Sequence, residues 1–381
     1  MIKLLSPAVC VALAVLLTGC DQSSEFSKPV VNEPAQQISA PVQPRAVLFI
    51  GGSVTQGAWA GPGKDYATFL TDWLTKKFRN VTAKNISVGG TDSRFAVYRL
   101  EQDLDGFKPD IAFIEFSVND KQDRTFVYEN VDGLIYKLRR INPNVVIIYL
   151  AVSQPGEAAL RRAESISDRA VYAREIVERN GAIFVDAAFH MWHHIRVENR
   201  NPQDFFADQI HPNDLGHSSY FLSISQQLED RITTAKGTGT RSSVYIGQSR
   251  LDTARLVDPL NLVTNSTCLN GVSSHTDFVG QPVPYDDLQY QCRPGDGFTI
   301  AFSGTSVGMT TRAMVGGGKL DCTLDGDESS SFNLEDAATR LRITMLFEHR
   351  HGGNHTVSCK ASGGPIEFGQ FLVSSANSIQ P

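Results

Sequence analysis

Residues 45–235 alternate short, nearly all-apolar runs with stretches of helical period. The runs are 46–50, 82–88, 110–116, 145–151 and 182–187, and their length and composition predict strands buried on both faces. Amphipathic stretches at 66–78, 131–141 and 167–180 lie between or after them, and a last helix is predicted over about 215–233. Alternation of this kind implies βαβ units, hence a parallel sheet covered by helices on both faces. After Lys236 helical periodicity stops and Gly, Ser and Thr increase. Short runs at 297–302, 318–324, 340–347, 355–360 and 368–374, separated by turn residues, predict an antiparallel β-sandwich. Residues 236–381 are enough for a core of their own.

The first 44 residues follow neither pattern. Lys3 precedes the apolar stretch 4–17, which is too short to span a bilayer comfortably and reads as a signal peptide. It ends in Leu17-Thr18-Gly19-Cys20, which resembles the bacterial lipobox, so residues 1–20 are expected to be a lipoprotein signal with Cys20 as the acylated residue. Several acyl chains on one residue would anchor the protein stably in a membrane. Asp21 resembles an inner-membrane retention signal and points to a periplasm-facing anchor. Residues 21–44, rich in Ser, Pro, Gln and Glu, read as a flexible tether.

The net charge of −6 gives no electrostatic basis for nucleic-acid binding. With Cys10 in the signal and Cys20 at the anchor, four cysteines remain, all in the last third: Cys268, Cys292, Cys322 and Cys359. An even number in an exported chain implies two disulfides. Of the three pairings, Cys268–Cys292 with Cys322–Cys359 is preferred, since the latter two sit on predicted strands. A zinc site is the rival, without the Cys-x-x-Cys spacing such sites use.

Four polar spots mark strand ends or helix starts. Gly51-Gly52-Ser53 follows the first strand, and Asn85-Ile86-Ser87-Val88-Gly89-Gly90 ends the second. Glu115-Phe116-Ser117-Val118-Asn119-Asp120 ends the third, and Asp208-Gln209-Ile210-His211-Pro212 precedes the last helix. In open α/β sheets ligands bind at the carboxyl ends of the strands. A serine hydroxyl needs a base to become a nucleophile, and His211 supplies an imidazole that titrates near neutral pH. Asp208 would fix its tautomer. The backbone N–H groups of Ser53 and Gly90 and the Asn119 amide would hold a developing oxyanion.

These blocks, in this order, resemble the SGNH, or GDSL-type, hydrolase superfamily over residues 45–235. The resemblance implies a flavodoxin-like α/β/α catalytic domain, with a smaller jelly-roll-like sandwich over 236–381. Gly52 stands where many members carry aspartate, a Gly-Gly-Ser form that resembles a branch acting on carbohydrate acyl groups. Of the two glycines in the second block, Gly90 is preferred to Gly89 because it lies five residues after Asn85. Val118 stands where a glycine often precedes the asparagine. The implied activity is a serine esterase removing O-acyl groups, acetyl foremost, from carbohydrate without a cofactor or metal. The same acyl-enzyme passed to a sugar hydroxyl would make a polysaccharide O-acetyltransferase. A silent hydrolase region beside a glycan-docking sandwich would make a binding lipoprotein.

Other residues receive lesser readings. Trp59 either lines a sugar subsite or packs under the nucleophile loop. Two of His190, His193 and His194 could share a face and bind metal, but the three read as a packed or solvated segment; His217 reads as a packing or capping residue, and Asp120 as a cap in preference to a residue shaping the oxyanion loop. The sandwich has no tryptophan, leaving Tyr245, Tyr285 and Tyr290 as candidate stacking residues.

Overall fold

The computed structural model describes residues 45–237, 251–274 and 284–375. The expected signal peptide, Cys20, the tether and Tyr245 lie outside the described residues. Among those described, no helix is long and apolar enough to cross a membrane.

Five parallel strands, β1 (Arg45–Gly51), β2 (Val81–Asn85), β3 (Ile111–Glu115), β4 (Val146–Ala151) and β5 (Ile183–Asp186), form a sheet in the order 2-1-3-4-5. This is the flavodoxin-like order. The central strands are apolar at every position because alternate residues feed different cores. Val47, Phe49, Ile111, Phe113, Ile148 and Leu150 face one side, and Leu48, Ile50, Ala112, Ile114, Ile147 and Tyr149 the other. Edge strand β2 is polar and half exposed, ending at Asn85 rather than at 88. An edge has neighbours on one side only, so it has less to bury.

Among the described residues eight α-helices join this sheet: α1 (Ser53–Gln56), α2 (Tyr66–Phe78), α3 (Ser93–Leu104), α4 (Arg124–Ile141), α5 (Ala158–Arg162), α6 (Asp168–Arg179), α7 (Phe189–Val197) and α8 (Asp214–Leu228). The side chains of Asp65, Asp92, Asp123 and Asn213 accept backbone N–H groups at the starts of α2, α3, α4 and α8. Helices α2, α7 and α8 cover one face, and α3, α4 and α6 the other. Helix α3 carries consecutive buried residues Phe95-Ala96-Val97-Tyr98, since it packs on both the sheet and the β-region.

The β-region continues with β6 (Arg255–Val257), β7 (Val263–Ser266), β8 (Leu269–Ser273), β9 (Leu288–Cys292), β10 (Gly297–Gly304), β11 (Ser306–Ala313), β12 (Lys319–Leu324), β13 (Glu328–Asn333), β14 (Arg340–Phe347), β15 (Gly353–Ser362) and β16 (Ile366–Ser374). They form two antiparallel sheets, 13-12-15-10-7 and 14-11-16-9-8, with β6 on β16. Disulfides join Cys268 to Cys292 and Cys322 to Cys359, the preferred pairing, so the rival zinc site is ruled out. Tyr290 is buried on Phe368, and half-buried Tyr285 packs edge-on against Phe95 while its hydroxyl bonds Asp103. The second sheet leans on the α/β layers. Leu341, Ile343 and Met345 of β14 pack against the α3/α4 core, to which Leu251, Ala254 and Leu372 also belong.

Candidate active site

Strand β1 hands its chain to α1, a four-residue helix that ends at Gly57. Ser53 opens that helix, so its backbone N–H has no partner within it. Its Oγ lies 2.8 Å from His211 Nε2, and His211 Nδ1 lies 2.7 Å from Asp208 Oδ2. Asp208 and His211 stand in a tight turn whose ends are tied by the Ala207 N–H on the His211 carbonyl at 2.9 Å. Within it Asp208 Oδ1 accepts the N–H groups of Ile210 and His211, both at 2.7 Å. Partial burial pulls the Asp208 pKa upward, but the hydrogen bonds from His211 and Ile210 outweigh it and hold the carboxyl below its ordinary value. An ionised carboxylate only accepts, so Nδ1 carries the ring proton and Nε2 faces the serine hydroxyl as an acceptor.

The opposite wall comes from the turns after β2 and β3. Gly90 takes a left-handed φ of 73°, and its N–H makes no hydrogen bond among the described residues. The N–H of Gly89, by contrast, is taken by Gln56 Oε1 at 2.8 Å. Among the described residues Asn119 Oδ1 is buried without a partner, and Asn119 lines the cleft. A Cβ at Gly52 would stand 2.4 Å from Asn119 Oδ1 and 2.8 Å from its Cγ. The departure from aspartate at this position is therefore steric: the Asn119 amide fills the space a side chain would need.

Residues behind the triad tie these turns together. Glu115, fully buried at the end of β3, accepts from Thr55 Oγ1 at 3.1 Å and from the Ser117 N–H and hydroxyl at 3.0 and 3.1 Å. Thr55 Oγ1 also lies 2.7 Å from the Tyr66 hydroxyl. Burial lifts Glu115 to about 7, against lowering bonds from Thr55 and Ser117. Asp120 accepts the N–H and hydroxyl of Ser93 at 2.8 and 2.9 Å, joining the Asn119 turn to the start of α3. Burial, with Asp92 nearby, raises its pKa well above the carboxyl value. His217 packs beside Tyr66 in the protein interior, and burial lowers its pKa.

The β-region supplies part of the cleft. A cavity of about 360 Å³ is lined by Gly90, Thr91, Asp92 and Asn119 on one side and Arg340, Leu341, Arg342 and Ile343 of β14 on the other. Nothing in the sequence could pair these groups, since more than 200 residues separate them. Trp59 is exposed in the loop after α1. His190, His193 and His194, in the segment expected to be packed or solvated, lie on α7, whose buried residues are Met191, Trp192 and Ile195. Among the described residues, no group of three or more His, Cys, Asp or Glu could hold a metal ion.

Residues 49–218 match the GDSL-like Lipase/Acylhydrolase family, and residues 278–381 match the Carbohydrate esterase 2 N-terminal domain. The second match follows the first here, although its description places it N-terminal in its own family. The fold is similar to that of a two-domain esterase (CEX) active on acetylated mannans, co-crystallised with mannopentaose, at 19% identity and a TM-score of 0.73. A second structure of a two-domain esterase (CEX) active on acetylated mannans gives 21% and 0.70. Each alignment covers 88% of this chain and 92% of the other. Curated proteins give no match.

Proposed function

The chain is an SGNH, or GDSL-type, esterase with a carbohydrate-esterase β-domain, and from that premise we propose that it removes O-acetyl groups from carbohydrate through an acyl-enzyme on Ser53. The observation that carries this reading is the continuous chain Ser53 Oγ–His211–Asp208, with bonds of 2.8 and 2.7 Å. His211 Nε2 takes the hydroxyl proton as Ser53 Oγ attacks the acetyl carbonyl carbon, and Asp208 stabilises the imidazolium. The Ser53 and Gly90 N–H groups and Asn119 Nδ2 receive the oxyanion. Collapse breaks the ester C–O bond, and His211 returns the proton to the departing sugar hydroxyl. Water, deprotonated by the same imidazole, then releases acetate and restores Ser53.

Acetylated mannan is the first substrate to test, because the two-domain neighbours are named as active on it. The lipobox at Cys20 supports an envelope location, anchored in the membrane and facing the periplasm. Purified protein is incubated with acetylated mannooligosaccharide, with and without an unacetylated oligosaccharide acceptor. Free acetate, absent with Ser53→Ala, supports the esterase. Acetylated acceptor in place of acetate makes it a transferase, and full activity in folded Ser53→Ala sinks the acyl-enzyme.

A further inference from the structure

A second cavity, of about 400 Å³, lies beside the end of β5 and shares no lining residue with the catalytic cleft. Helix α7 forms one wall of it, through Phe189, Trp192, His193 and Arg196. These stand at i, i+3, i+4 and i+7, so they make one stripe of the helix. Arg161 of α5, Glu164 just after it and Asp186 at the end of β5 belong to the rest of the lining. Core packing accounts for Trp192, which is buried, but not for Phe189. The Phe189 ring stacks on His193 with centres 6.2 Å apart, yet 59% of the residue's surface is exposed.

The charged groups of the lining are fixed. Arg161, with 3% of its side chain exposed, gives Nη1 to the two Asp186 oxygens at 2.9 and 2.8 Å. Its Nε and Nη2 are buried with no hydrogen-bond partner among the described residues, so this lining residue holds donors still to be satisfied. Arg196 pairs with Glu164 and ties α7 to the segment after α5. A concave site with an aromatic wall and a few fixed polar groups is the usual form of a small-ligand pocket, with volumes of roughly 300–1,000 Å³. An acyl chain suits this one poorly, since its burial would strip water from the ion pairs. A pyranose has an apolar face for the ring and hydroxyls for the charged groups. The cavity is also on the catalytic side of the sheet, because Asp186 ends β5 as Ser53 follows β1 and the strands are parallel. In the order 2-1-3-4-5 those two strand ends are three spacings apart, about 14 Å, which an oligosaccharide can span.

We infer that the groove between α5 and α7 is a second, non-catalytic site that holds a remote sugar of the polysaccharide chain, with Phe189 as its stacking face. The choice of carbohydrate as ligand rests on the reading above. The test takes the full chain with Ser53 blocked by a serine-directed phosphonate, which removes turnover, and runs it through native gels containing unacetylated β-mannan. Wild-type protein is expected to be retarded. The apparent Kd should weaken about tenfold in Phe189→Ala and Phe189→Leu and stay near wild type in Phe189→Tyr, which keeps the ring. Unblocked Phe189→Ala should hydrolyse ethyl acetate at the wild-type rate, because the groove takes no part in the chemistry. Wild-type protein that passes unretarded, or equal retardation of wild type and Phe189→Ala, overturns the site. Either result beside normal release of acetate from acetylated mannan leaves the esterase reading standing. Protein that mannan retards through Phe189 but that deacetylates no carbohydrate keeps the site and overturns the esterase reading.

Discussion

At the scale of single residues, the tightest constraint lies between Gly52 and Asn119. The serine, the histidine and the aspartate are legible as residue types at strand ends, because a nucleophile, a base and an orienter have few chemical alternatives. The reason for Gly52 is not legible, since the atoms that exclude a side chain belong to a residue 67 positions away. Gly52→Ala should push the Asn119 amide out of place and remove one oxyanion donor. Steady-state kinetics should then show kcat lower by about 10²–10³-fold with the fold retained, as circular dichroism would report. Near-normal kcat would mean that Asn119 does not serve the oxyanion.

At the scale of elements, β3 shows how one strand end organises two turns. Glu115 ties Thr55, two residues past Ser53, to Ser117, two residues before Asn119. The sequence contains the residue but not its partners, which depend on β1 and β3 lying side by side with Gly51 opposite Glu115. Burial raises the folded pKa to about 7 from an ordinary 4.5, so between those values the folded state holds more protons than the unfolded. The protonated carboxyl's contribution is therefore complete below about pH 4.5 and is lost as pH rises through 7. Denaturant titrations across this range should show wild-type stability declining relative to Glu115→Gln, which has no charge to bury. Parallel curves would refute the burial account. Helix α3 escaped the pattern for a related reason: packed on two sides, it lacks a clean polar face.

At the scale of the whole molecule, the two regions share a core. Leu251, Ala254 and Leu372 sit in the α3/α4 cluster, and the buried Lys137 ammonium bonds the carbonyls of Val97 and Ala254. Arg94 pairs with Glu348 at 3.2 Å across the same boundary. The described residues accordingly fall in one compact unit. Calorimetry should give a single cooperative transition, and a chain ending at residue 237 should lose solubility because an apolar face of that cluster is uncovered. Two separate transitions, or a soluble active truncation, would contradict this coupling.

The sequence by itself determined the layered architecture, the alternation of the five parallel strands with helices α2, α4, α6 and α8, and the residue types able to carry acyl transfer. Periodicity is a local property, and catalytic chemistry is restricted to a few side chains. Only the tertiary structure decided why Gly52 must be glycine, which glycine N–H is left free, how Glu115 links two turns, and that β14 walls the cleft. Each of these depends on atoms brought together from distant parts of the chain, and no local pattern records such distances.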